Sequence, residues 1–176
     1  MRQTRTNWAV ENGKSSRRGL NMVEVAISSL IVGVMLVASL RVVGQSFLTQ
    51  RLNADRATGQ FLADSLLNEA LQLSYMEPGL TSSAIGREAN ELATNRSNYD
   101  DVDDYHNYTE SPPKAKNNTA LPDFTGWQRS VTVQWVNNAD LTQVLNTESG
   151  VKRVTVQTRR NGTLVATATG FRSNVP

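Results

Sequence analysis

The chain has 176 residues, 39% hydrophobic and 6% aromatic, which suffices for one modest domain with a thin core and excludes a large catalytic interior. Cysteine is absent, so disulfides, thiolate zinc sites and lipoprotein-type acylation are excluded as well. The formal charge of +2 hides an uneven distribution: residues 1–19 hold five basic side chains against one acidic, whereas the remainder holds 13 basic and 15 acidic, and no nucleic-acid partner is expected for the part after Gly19.

The first predicted element is a basic leader over residues 1–19, in which Arg2, Arg5, Lys14, Arg17 and Arg18 face only Glu11. From Leu20 to Leu40 the chain is apolar apart from small polar residues and Glu24, about the 20 residues that a helix needs to cross a bilayer core. Arg17 and Arg18 precede this stretch, so the leader stays cytoplasmic and the C-terminal part is delivered across the membrane. A secretory signal cleaved near Ala38 and Ser39 fits poorly, because the apolar run is too long and continues into an amphipathic pattern.

Two features separate this segment from an ordinary signal anchor. Glu24 is a carboxylate at the entrance of the apolar run, where an unpaired charge costs several kcal/mol, so it calls for a cationic partner. Gly19 stands directly before the first apolar residue and leaves the backbone open to a protease.

The run RRGLNMVEVAISSLIVGVML resembles the type IV prepilin signal: a basic leader ending in glycine, an apolar first mature residue, glutamate at mature position five, and an unbroken hydrophobic stretch. The resemblance implies cleavage between Gly19 and Leu20 by a prepilin peptidase and N-methylation of Leu20. It further implies that Glu24 pairs with the amino terminus of a neighbouring pilin or pseudopilin subunit during filament assembly. It places the chain in the bacterial inner membrane as a single-pass protein with a periplasmic C-terminal domain, free to enter a type IV pilus-like or type II secretion filament. Leucine in place of the commoner phenylalanine at the first mature position, and the lack of a C-terminal disulfide, resemble minor pilins and pseudopilins. The alternative is a permanently signal-anchored membrane protein with an exported cation- or ligand-binding domain.

Residues 41–75 are predicted to continue the helix to about Tyr75, with Val43, Phe47, Ala54, Phe61, Leu62, Leu66, Ala70 and Leu73 as its apolar stripe. Polar Gln50, Arg51 and Asp55 interrupt any heptad, which argues against a free coiled coil. Gly44 and Gly59 each weaken the helix by about 1 kcal/mol and are read either as bending points or as places of close packing.

Residues 76–128 are rich in Asn, Ser, Asp, Thr and Pro and read as a long polar connection, with a short helix near Arg87 to Ala93. Asp100, Asp101, Asp103 and Asp104 crowd together in YDDVDDYHNY, which is read as a solvated acidic loop or, alternatively, as a calcium site. The EF-hand pattern is not matched, and no other cofactor is implied. His106, the lone histidine, reads as an exposed polar residue with no nucleophile and acid to complete a catalytic set, so no enzyme activity is expected.

Residues 129–176 alternate with period two. Val131, Val133 and Trp135, then Val154 and Val156, then Leu164, Ala166 and Ala168 are the predicted inward positions of an antiparallel sheet of three or four strands. Asn161-Gly162 marks a tight hairpin, and Trp127 is read as either an edge seal or an exposed contact. A patch of Lys152, Arg153, Arg159 and Arg160 is the one local concentration of positive charge that could meet nucleic acid. The expected fold is α+β: a long N-terminal helix, half transmembrane and half amphipathic, packed on a small antiparallel C-terminal sheet.

Overall fold

The computed structural model describes residues 19, 21–79, 84–89 and 91–174. In chain order it contains helix α1 (Met22–Leu71), two short 3₁₀ turns (Arg96–Asn98 and Asp103–Tyr105), and strands β1 (Thr109–Glu110), β2 (Trp127–Val136), β3 (Val144–Leu145), β4 (Val151–Arg160) and β5 (Thr163–Ser173). The fold is α+β, one long N-terminal helix against a five-stranded antiparallel sheet, a pilin-like architecture. Contacts divide the chain into two units, residues 1–47 and 48–176.

In the first unit the described residues run along α1, and every one of their side chains is exposed. The helix begins where the Asn21 carbonyl accepts the Glu24 and Val25 amides at 2.9 and 3.2 Å, and no proline follows until Pro78.

In the second unit α1 buries Gly59, Leu62, Ala63, Leu66, Leu67 and Ala70, a stripe at the three- and four-residue spacing of a helix face. Of the expected stripe, Leu62, Leu66 and Ala70 are buried, whereas Ala54 and Phe61 are exposed. Phe61 lies one residue before the Leu62–Leu66 column, which turns it about 100° off that column on a helix of 3.6 residues per turn. The helix ends at Leu71 because the chain then leaves to pair with the Asp run: the Ser74 amide donates to the Asp100 carbonyl at 3.3 Å and the Val102 amide to the Ser74 carbonyl at 3.0 Å.

The strand order is β1-β2-β4-β5, with β3 folded back on β2. In register, Val131 opposes Val156 and Val133 opposes Val154; Val154 and Val156 in turn oppose Gly170 and Ala168. These residues meet Ala63, Leu66, Leu67 and Ala70 of α1 in the core, closed on one side by Tyr99, Val102, Tyr105 and Tyr108. The three tyrosines contact one another edge to face at 5.1–6.3 Å. Much of the polar middle of the chain is therefore a wall of the core. It supplies β1, a strand beyond those expected, and has turns in place of a helix near Arg87 to Ala93.

The β4–β5 hairpin turns on Asn161 and Gly162, with φ of 50° and 83°, the positive values expected for this dipeptide. A bulge follows, since Thr158 pairs with Ala166 but Arg159 with Leu164. Val165 becomes the extra residue, the alternation reverses, and Leu164 points outward at 47% exposure in place of its expected core position. Gly59 is the point of close approach: a Cβ there would stand 2.8 Å from Val165 Cγ1 and 3.1 Å from Thr158 Oγ1.

Candidate functional site

The prepilin-like signal falls at the N-terminal edge of the described residues. Leu20, the expected cleavage and methylation position, and residues 1–18 of the leader lie outside them, whereas Gly19 is exposed. Glu24 sits in the first turn of α1, exposed, and is the sole charged residue between Met22 and Leu40. Around and beyond it Val23, Val25, Ile27, Leu30, Ile31 and Val34 are each about half exposed or more. A continuous apolar helix surface of this extent marks contact with lipid or with other helices. Among the described residues α1 is the helix long and apolar enough to cross a membrane, as a single span or a signal anchor.

A second concentration of charge is buried inside the domain. Glu110 on β1 holds two guanidinium groups, Arg96 at 2.7 Å and Arg129 on β2, and all three side chains are 2% exposed. Arg96 also pairs with Glu69 of α1 at 2.7 Å, and both arginines donate to the Lys114 carbonyl at 2.6 Å. The Tyr108 hydroxyl donates to Glu110 at 2.7 Å and the Tyr105 hydroxyl to Glu69 at 2.9 Å. The network ties α1, the 96–110 segment and the sheet together through charge-assisted hydrogen bonds, and every oxygen of Glu110 has a donor.

The Asp run is not the solvated loop expected for it. Asp101, Asp103 and Asp104 are fully buried, each in a distinct role. Asp103 forms an ion pair with Lys152 of β4. Asp101 Oδ1 accepts the amides of Asp103 and Asp104 at 2.8 and 3.2 Å, and Asp104 Oδ2 accepts those of Asp100 and Asp101 at 3.0 and 3.1 Å. Four carboxylates close in sequence are tolerated because the segment folds back to present amides to Asp101 and Asp104, Lys152 meets Asp103, and Asp100 stays exposed. Burial, followed by the hydrogen bond and charge of Asp103, pushes the Asp101 carboxyl up to about 8; burial and the neighbouring Glu91 push Asp104 up to about 8.

One carboxylate oxygen from each of Glu88, Glu91 and Asp104 lies within 4.8 Å of the other two, so the acids that converge in space are Asp104 and two glutamates from the preceding segment. Asp100, Asp101 and Asp103 belong to no such group among the described residues. The run alone could not reveal the glutamate partners, because the 91–104 turn that brings them together has no periodic pattern.

His106 is half-buried, and its Nδ1 accepts the Val133 amide at 3.2 Å, a positioning bond in place of the exposed role expected. The basic patch is likewise divided. Lys152 is buried, Arg160 pairs with Asp55 and lies 5.4 Å from the Trp127 ring, and Arg153 donates to Gln134 at 2.8 Å. Trp127 is buried beneath Arg160 as a seal of the sheet edge.

Comparison with known protein families, with characterised proteins and with solved structures finds no match to this chain.

Proposed function

We propose that the chain is a non-enzymatic minor subunit of a type IV pilus-like or type II secretion filament, made as a precursor and processed at Gly19–Leu20. The observation that carries the reading is α1 itself: a helix surface exposed and apolar through Leu40, with Glu24 as the one carboxylate at its start, joined to a pilin-like domain. Such a surface is stable only in a bilayer or against other apolar helices, and the acid on it is tolerated only beside a cation. Cleavage after Gly19 would create that cation on each subunit, so Glu24 of one copy meets the new amine of a neighbour. The partners are then a prepilin peptidase, other pilin or pseudopilin subunits and the inner membrane.

Mass spectrometry of the protein extracted from membranes of cells with an active prepilin peptidase tests this. The expected N-terminus is Leu20, methylated. A chain retaining residues 1–19 under those conditions contradicts the reading and favours a permanent signal anchor.

A further inference from the structure

We propose that Glu88, Glu91 and Asp104 form a binding site for one calcium ion, where two part-buried glutamates meet the buried Asp104. Three observations converge on it. The first is the mutual approach of three carboxylate oxygens within 4.8 Å. Oxygens bound to one calcium ion at roughly 2.4 Å each lie no more than about 4.8 Å apart, so the three acids stand within the limit that sharing one ion sets.

The second is an orphaned, fully buried oxygen. Asp104 has 0% exposure, its Oδ2 is taken by two backbone amides, and its Oδ1 has no hydrogen-bond donor. Glu88 Oε2 is buried without a donor as well. Buried polar atoms are satisfied with few exceptions, so two orphans in one trio of acids call for a positive species between them, a proton shared with Glu91 while Asp104 is protonated and a cation once it ionises.

The third is that the nearby positive charge is spent elsewhere. Arg87 directs its Nη1 to the carbonyls of Asp104 and His106 at 3.1 and 2.9 Å, and Lys152 goes to Asp103. Among the described residues no lysine or arginine forms an ion pair with Glu88, Glu91 or Asp104.

The donors are all carboxylate oxygen, with no sulfur or imidazole, which selects a hard cation over zinc or copper. Calcium is preferred to magnesium because three carboxylates from two loop segments form an irregular, adaptable set, whereas magnesium demands near-ideal octahedral geometry and gives up water reluctantly. With water completing the coordination, the affinity belongs to the weak class of about 10⁻⁴–10⁻³ M. The ion would fasten Glu88 and Glu91 to the buried 101–104 turn.

The test is calorimetric titration of calcium chloride into the full chain, purified in detergent and stripped with chelator. One saturable site per chain is expected, together with a calcium-dependent rise in the unfolding temperature. The double variant E88Q/E91Q, which spares the buried Asp104, is expected to lose at least tenfold in affinity and the temperature rise, while D123N at an exposed acid elsewhere keeps both. E88Q alone is expected to lower the affinity in the same direction. Absence of saturable binding by the unsubstituted chain, undiminished binding by E88Q/E91Q, or tighter binding of magnesium than calcium would each overturn the proposal.

Discussion

Glu110 and Arg96 meet at 2.7 Å with both side chains 2% exposed, and Arg129 shares the same carboxylate from the other side. Glu110 thus bridges two buried guanidiniums, and Glu69 forms its ion pair with Arg96. Glu110→Gln is expected to destabilise the protein by about 3–5 kcal/mol, because it removes the shared acid and leaves Arg129 uncompensated in the interior. The comparison is Asp55→Asn, which breaks the pair with Arg160, whose side chain is 33% exposed against 24% for Asp55; solvent screening there limits the loss to about 1 kcal/mol or less. Denaturant unfolding of the full chain in detergent measures both, and equal losses would contradict the distinction.

Gly59 is where α1 and β5 come closest. Alanine at an exposed helix position stabilises by about 1 kcal/mol relative to glycine, yet at this site its Cβ would stand 2.8 Å from Val165 Cγ1, and overpacking costs about 1–3 kcal/mol. Gly59→Ala is therefore expected to lower the unfolding temperature, and the double change Gly59→Ala/Val165→Ala to recover part of the loss. Gly44→Ala, with no atom within 4 Å of the added carbon, is the control and lowers nothing.

The helix, the hairpin and the inward valines were legible because each rests on a local rule: uninterrupted apolar spacing, Asn-Gly chemistry, period-two alternation. The same alternation also carried information easily passed over. Lys152 precedes Val154 and Val156 by even steps on β4, and Arg129 precedes Val131 and Val133 on β2, so both basic residues had inward parity. Their burial was readable from phase, but their partners were not, since Asp103 and Glu110 come from segments without periodicity. The bulge at Val165 was equally hidden, because the period-two pattern of β5 carries no mark of an extra residue, and the packing of Val165 on Gly59 involves a helix distant in sequence. Clustered aspartates suggest solvent by composition; only the fold-back that supplies amides to Asp101 and Asp104 makes burial tolerable.

All four tyrosines are buried, and burial is the leading cause of a raised phenol in each. Tyr75 and Tyr108 are pushed up to about 12, the latter also by Glu110, which accepts its hydroxyl proton in a hydrogen bond. A phenol that ionises later in the folded state than in the unfolded chain stabilises fully below the ordinary value near 10. That contribution is lost as pH rises from about 10 through 12. Phenolate absorbance is therefore expected to stay flat at pH 10 and to rise at higher pH together with the loss of circular dichroism. A tyrosine ionising near pH 10 with the fold intact contradicts the assignment.

The two residues of the processing and assembly reading are separable. Gly19→Ala adds a Cβ at the expected scissile position and should slow cleavage, seen as accumulation of the longer precursor on a blot, with membrane insertion unchanged because the apolar run is untouched. Glu24→Val removes the one charge between Met22 and Leu40. It lowers the cost of insertion, so the variant should reach the membrane at least as well as the parent and be cleaved normally, yet enter filaments poorly, because the neighbour's amine loses its counter-ion. Glu24→Asp, which keeps the charge on a side chain one carbon shorter, should retain more of that incorporation than valine does. Equal incorporation of the valine variant and the parent into sheared filaments would remove the assembly role of Glu24 while leaving cleavage after Gly19 intact.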